Sequence, residues 1–341
     1  MKRGFPERLA DFLLRYGVIL AVVFLVVFFK YRTTAFWDLD NFLDILRASS
    51  ILTIVALGVT FSVVVDGFDV SVGGVVGLVV MLVTALMVIW HVPWGFAVLT
   101  GLVAGALVGL LNSLLITRLR IPDLLATLGT LYLLQGTQLL ITKGDAVYKG
   151  MTNPWSPDRA QATGAIPPDF LYFGQGYAWA SAGFRGVPVP VLVMAVVAVL
   201  AWLFLDYTRF GRAMYAVGGN PEAARLAGIP VDRYRTAAYV ISALLSALAG
   251  LVLAARLGSG TVGAGRDYLL DAVAATFVGF AVLAARRPNV WGTVLGAVFV
   301  GILLNGLTMM NLPFYVQDIV KGLVLIAALG LSYAIRGREG G

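Results

Sequence analysis

The sequence predicts an all-α polytopic membrane protein of about ten transmembrane helices with both termini in the cytoplasm, on three observations. Hydrophobic residues fill 60% of the 341 positions and charged residues only 13%. The mean hydropathy of +0.89 lies outside the range of a soluble domain. Apolar runs of about 18 to 24 residues recur along the whole length, each able to cross the roughly 30 Å hydrocarbon layer as a helix. Finally, Lys and Arg gather in alternate connecting segments, which is the signature of cytoplasmic loops.

Spans are expected near 14–30, 49–65, 70–90, 94–117, 124–142, 187–205, 236–256, 268–285, 290–310 and 314–335. The first follows a basic start, as in a signal peptide, but only Lys30-Tyr31-Arg32 comes after it and no small-residue cleavage site, so a retained span is expected. An inside N-terminus puts fifteen Lys and Arg in the inner segments and nine in the longer outer ones, with Lys321 inside the last span. The whole chain, 1–341, reads as one transmembrane domain with an inner loop near 206–235 and a long outer loop near 143–187. That outer loop is rich in Pro, Gly, Trp and Tyr, and serves either as an interfacial aromatic belt or as a surface for an external protein.

Several chemistries are excluded early. With no cysteine there is no disulfide or thiolate site, and the single histidine, His91 in a His-Val-Pro turn, reads as a solvated loop residue, so no metal site is expected. The net charge of +7 follows from the inner-loop bias, and no basic stripe with interleaved aromatics marks a nucleic-acid surface. A membrane enzyme would need His, Ser and carboxylates at one depth, and the sequence offers no such set.

Four features carry the functional reading. The segment from Asp206 to Pro230 is a polar, basic island between apolar runs, and must project from the cytoplasmic face to meet a partner. Asp66-Gly-Phe-Asp69-Val-Ser71-Val-Gly-Gly74 interrupts apolar sequence without Lys or Arg. It is either a tight cytoplasmic turn with solvated acids, which the sequence favours, or a helix break at membrane depth with polar groups facing a cavity. Asp271 and Lys321 also sit within apolar runs, where ionisable groups are costly, and are expected to pair across helices. Last, Gly101-x3-Gly105-x3-Gly109 and Gly292-x3-Gly296 permit close helix packing. Each run leads to an asparagine, Asn112 or Asn305, and then a proline, Pro122 or Pro313. Five spans separate these faint copies, as in an inverted repeat of two five-helix halves.

Taken in order over residues 50 to 330, several segments resemble the permease subunits of ATP-binding-cassette importers of the ribose and simple-sugar class, relatives of the branched-chain amino-acid permeases. They are Ala56-Leu-Gly-Val-Thr-Phe61, the Asp66 to Gly74 run, Asn112-Ser-Leu-Leu-Ile116, Ile121-Pro-Asp-Leu-Leu-Ala-Thr127-Leu-Gly-Thr130, Phe210-Gly-Arg212, Gly218-Gly-Asn-Pro-Glu-Ala-Ala-Arg-Leu-Ala-Gly-Ile229, Leu270-Asp-Ala-Val-Ala-Ala275 and Val290-Trp-Gly-Thr-Val-Leu-Gly-Ala297. The resemblance implies that Gly218, Gly219, Asn220, Pro221, Glu222, Ala223, Ala224, Arg225 and Gly228 build a short coupling helix that docks on the ATP-binding subunit. Local chemistry agrees: Asn220 can cap a helix opened by Pro221, Glu222 suits its positive end, and Gly228 can stop it.

The resemblance further implies a translocation path near Asp66, Asp69, Ser71, Thr127 and Thr130, to which the polar span residues Asn112 and Asp271 are added. It implies an extracytoplasmic solute-binding protein, a second permease chain, a bacterial or archaeal cell membrane, and ATP with Mg on the partner ATPase, none bound by this chain. No Gly-x4-Gly-Lys-Ser/Thr occurs here. One departure stands out. Where the family commonly carries Gly-Gly-x-Ser-Leu-x-Gly-Gly-x-Gly, this chain reads Gly279-Phe-Ala-Val-Leu-Ala-Ala-Arg-Arg-Pro288, which leaves a heterodimer as open as a homodimer. The competing class is an ion-coupled secondary transporter using Asp66, Asp69 and Asp271.

Overall fold

Peptide groups in hydrocarbon must find their partners within the chain, and this sequence does so almost entirely with helices. The computed structural model describes residues 5–181, 183–280 and 287–337. The Gly279 to Pro288 departure therefore falls largely outside the described residues.

Helix α1 (Phe5–Arg32) leads through a 3-10 turn into α2 (Leu39–Val64), and α3 (Val72–Val88) follows a break. Next come α4 (Trp94–Ser113), which runs on as a π-turn to Arg118, and α5 (Asp123–Thr142). The long loop after α5 holds a short helix, α6 (Pro168–Gln175), and a two-stranded ribbon of β1 (Tyr177–Ala178) and β2 (Val187–Pro188). Then follow α7 (Val189–Trp202, continuing as a π-turn to Tyr207), α8 (Arg209–Gly219), α9 (Pro221–Leu226), α10 (Val231–Leu257), α11 (Arg266–Phe280), α12 (Val290–Met309) and α13 (Phe314–Gly337). Among the described residues six helices are long and apolar enough to cross a membrane, and α3 is a shorter apolar helix of the same kind.

Glycine lets the helices approach. A side chain on Gly105 would strike Ala247, and one on Gly109 would strike Val240, so α4 lies directly on α10. Gly292 and Gly279 face each other between α12 and α11 in the same way. Phe29 of α1 is buried against Gly306 of α12. Helix α3 is walled in by α4, α5, α10 and α11, which is why nearly all its side chains are buried.

Several sequence expectations shift. Helix α2 starts ten residues before the predicted span because Asp40, Asp44 and Arg47, which cut short the apolar run, lie near its N-terminal end. There Arg47 donates to the Gly174 carbonyl at 2.9 Å and to the Tyr177 hydroxyl at 3.1 Å, docking α2 on the loop that carries α6 and β1. His91 does sit in an exposed turn, with Nε2 2.8 Å from the Thr163 hydroxyl.

The favoured turn at Asp66 to Gly74 is corrected. Helix α2 ends in a Schellman motif: Gly67 N donates to the Ser62 carbonyl at 2.9 Å and Asp66 N to that of Val63 at 3.1 Å, with Asp66 left-handed at φ 57°. Asp66 is exposed, as a turn requires, but Asp69 is 0% exposed. The acids are not both solvated, because the chain turns back into the protein after Gly67. That glycine leaves no room for a Cβ between the Tyr239 hydroxyl and the Asp123 carboxylate.

Candidate functional site

The polar island from Asp206 to Pro230 folds into two helices, one of them unforeseen. Helix α8 is capped by Thr208, whose hydroxyl accepts from Gly211 N at 3.1 Å. Its end rests on the end of α2, where Gly218 meets the Val64 carbonyl so closely that any side chain would collide. Tyr215 of α8 donates its hydroxyl to the Pro288 carbonyl at 2.8 Å, and the Arg287 guanidinium lies 4.5 Å from its ring centroid. Burial, reinforced by Asp206 and opposed by Arg287, pushes this hydroxyl up to about 12, so it remains a donor at physiological pH. Helix α8 thus touches both the Asp66 break and the segment leading into α12.

Helix α9 then begins at Pro221. Asn220 Oδ1 accepts from Ala223 N at 2.9 Å, a cap of about 1 kcal/mol. Glu222 sits in the first turn and pairs with Arg225 at 2.8 Å. The helix stops in a second Schellman motif, with Ile229 N donating to Ala224 at 3.0 Å, Gly228 N to Arg225 at 3.0 Å, and Gly228 at φ 79°. Ala224 is buried while Glu222, Ala223 and Arg225 are exposed. Leu226, which the sequence reading did not single out, is 89% exposed at the tip. Its signal was present: a large apolar residue stands next to Arg225 on a short capped helix, off the side that Ala224 buries. Gly219 has open space where a side chain would stand.

Within the helical body the structure gathers four of the candidate pathway residues and separates the rest. Asp69 accepts from Ser71 N at 2.9 Å and the Ser71 hydroxyl at 2.6 Å on one oxygen, and from the Ser242 hydroxyl at 2.8 Å on the other. Asn112 Nδ2 donates to the Ser71 hydroxyl at 2.8 Å. Thr127 Oγ1 accepts from Val70 N at 3.2 Å. Asp69 thus takes its donors from Ser71, at the start of α3, and from Ser242 of α10, while Asn112 of α4 and Thr127 of α5 brace the Ser71 hydroxyl and the Val70 amide beside it. Tyr239 extends the network by donating to Asp123 Oδ2 at 2.5 Å. Thr130, in contrast, donates only to the Ala126 carbonyl of its own helix, and Asp66 lies outside the cluster.

Asp271 stands elsewhere, on α11, where Lys321 of α13 lies 3.5 Å from its Oδ2. The expected pair is therefore present, and Asp318 joins it at 3.8 Å from the same ammonium. Ser242, Tyr239 and Asp318 were not foreseen. Ser242 and Tyr239 are ordinary residues on an apolar helix, and only tertiary packing gives them partners.

A body of apolar helices, interrupted at depth and carrying a capped helix on a polar projection, defines a polytopic transport protein. A family model described as "Branched-chain amino acid transport system / permease component" matches residues 41–329, and the chain belongs to that family. It is a permease component and not an enzyme. The chain is 34% identical over 322 residues to the ribose import permease of Haemophilus influenzae, covering 94% of each. It is 35% identical over 316 residues to that of Bacillus subtilis, covering 93% of this chain and 92% of the relative. With the xylose transport system permease of Escherichia coli K12 the identity is 31% over 369 residues, covering 94% and 92%. No solved structure matches.

Proposed function

We propose that this chain is the membrane subunit of an ATP-binding-cassette importer for a monosaccharide, driven through α9 by a separate ATPase that binds ATP and Mg. The observation that carries the reading is α9 itself, which is capped at both ends, linked by α8 to the Asp66 break, and presents exposed Glu222, Arg225 and Leu226 with no surface among the described residues to receive them. Similarity to ribose and xylose permeases along nearly the full length supports the solute class.

In this reading ten helices, α1 to α5, α7 and α10 to α13, span a bacterial or archaeal cell membrane as one domain with both termini inside. A second permease chain completes the body, and a solute-binding protein delivers at the outer face. An inverted repeat of two five-helix halves is supported by a shared device. Asn112 on α4 and Asn305 on α12 each donate across to another element, to Ser71 and to Asn41 at 3.0 Å, and each leaves its Oδ1 buried without a donor. The path needs only differential contacts in its inward and outward states, since force arrives from the ATPase.

The test is uptake of radiolabelled ribose and xylose into proteoliposomes holding the permease, its ATPase and its binding protein. Uptake should require ATP on the ATPase side. Replacing Leu226 by Asp should abolish the coupling of ATP hydrolysis to transport while leaving solute affinity of the binding protein unchanged. Uptake by this chain alone under a proton or sodium gradient would instead identify an ion-coupled transporter.

A further inference from the structure

A second cluster of acidic and basic side chains lies apart from the buried Asp69 network, and its meaning rests on the import reading above. It is a cavity of about 370 Å³ lined by Asp267 and Asp271 of α11, Asp318 and Lys321 of α13, and by Arg266 and Val300 among others. Val300 is half-way along α12 and Arg266 begins α11, so the cavity reaches from the end of the helical body toward its middle. Charged groups at that depth are costly against lipid and belong on a hydrated or protein-covered face.

Its ion pairs are loose. Lys321 Nζ stands 3.5 Å from Asp271 and 3.8 Å from Asp318, well beyond the roughly 2.7–2.9 Å of a tight charge-assisted hydrogen bond. Among the described residues no backbone or side-chain donor other than Lys321 is bonded to either carboxylate. Asp69, with three donors, has little capacity left, whereas Asp271 and Asp318 retain most of theirs.

We propose that Asp271, Asp318 and Lys321 form a waypoint for a neutral monosaccharide on its path across the membrane. The two carboxylates accept from neighbouring hydroxyls, and the ammonium donates to a hydroxyl or ring oxygen. The cavity volume falls within the roughly 300–1,000 Å³ range of small-molecule sites. Three acids against two bases leave the lining net negative, which disfavours sugar acids and sugar phosphates. Among the described residues no aromatic side chain lines it, so the hold is weak, as a site that must release its solute requires.

In the reconstituted complex, Asp271→Asn and Asp318→Asn should each lower ribose or xylose uptake by roughly tenfold, the scale of one lost charged hydrogen bond. Binding-protein-stimulated ATP hydrolysis should stay within about twofold, because the coupling helix is untouched. The double variant Asp271→Asn/Lys321→Gln separates this role from a plain tie between helices: a tie, made neutral on both sides, regains uptake, whereas the waypoint remains impaired. As a second measurement, the variant Leu270→Cys, on the exposed rim of a chain without cysteine, should react with a membrane-impermeant thiol reagent and be slowed by saturating ribose or xylose. Unchanged uptake in both asparagine variants, recovery in the double variant, or a Leu270→Cys thiol inert to the reagent would overturn the waypoint while leaving the importer in place. A wild-type complex that transports neither sugar overturns the waypoint for them and removes ribose and xylose as the imported solutes.

Discussion

Asp69 and Asp271 are both carboxylates in the helical body, yet they occupy opposite chemical situations. Asp69 is enclosed by α3, α4, α5 and α10 and receives three hydrogen bonds. Asp271 opens on a cavity and has one distant ammonium. The difference shows that the presence of a buried acid says little about its task, whereas the count of donors already committed to it says a great deal. A carboxylate whose capacity is spent holds elements together, and one with capacity to spare can meet a passing solute.

The contrast can be broken first at Asp69. Asp69→Leu strands Ser71 N and two hydroxyls in a dry site, and should cost on the order of 3 kcal/mol or more. The expected result is loss of the monodisperse protein in detergent, and a normally folded Asp69→Leu protein would erase the distinction. A smaller effect is expected at Gly67, where alanine would press on the Tyr239 hydroxyl and the Asp123 carboxylate. That overpacking should cost about 1–3 kcal/mol, read as a lowered melting temperature of the purified permease. Asp271→Leu with Lys321→Leu removes both charges from the α11–α13 contact, and should leave thermal stability within about 1 kcal/mol, because interhelical polar contacts in membranes average roughly 0.6. At the exposed end of the same break, Asp66→Gly relieves a left-handed residue and should raise stability by up to about 1 kcal/mol. Two acids three positions apart would then respond with opposite sign.

The parts of this arrangement legible in the sequence are those written in neighbouring residues. Asn220, Pro221, Glu222 and Gly228 specify α9 by local capping rules, and the structure has that helix with its cap and stop as expected. The Asp271 and Lys321 pair was legible because each charge is bordered by apolar residues within a predicted span. Helix α8 was missed because Gly218, Gly219 and the following Asn-Pro read as loop, while its Thr208 cap is inconspicuous. The fate of Asp69 was hidden for a different reason: Ser242 lies 173 residues away, and only the fold decides whether an acid in a short polar run meets water or a serine. Helix α2 is longer than its apolar run because hydropathy penalises Asp40, Asp44 and Arg47, although charged residues are compatible with helix near its end.

The enclosure of α3 also sets an order of events during synthesis. Its walls are built from residues made later, α4 and α5 first and α10 and α11 last. Of the two residues whose donors reach Asp69, Ser71 is made with it, and Ser242 comes only after the polar projection has been completed. One carboxylate oxygen therefore has its final donor only once α10 exists, and the enclosure of Asp69 is incomplete until α10 stands between α2 and α4.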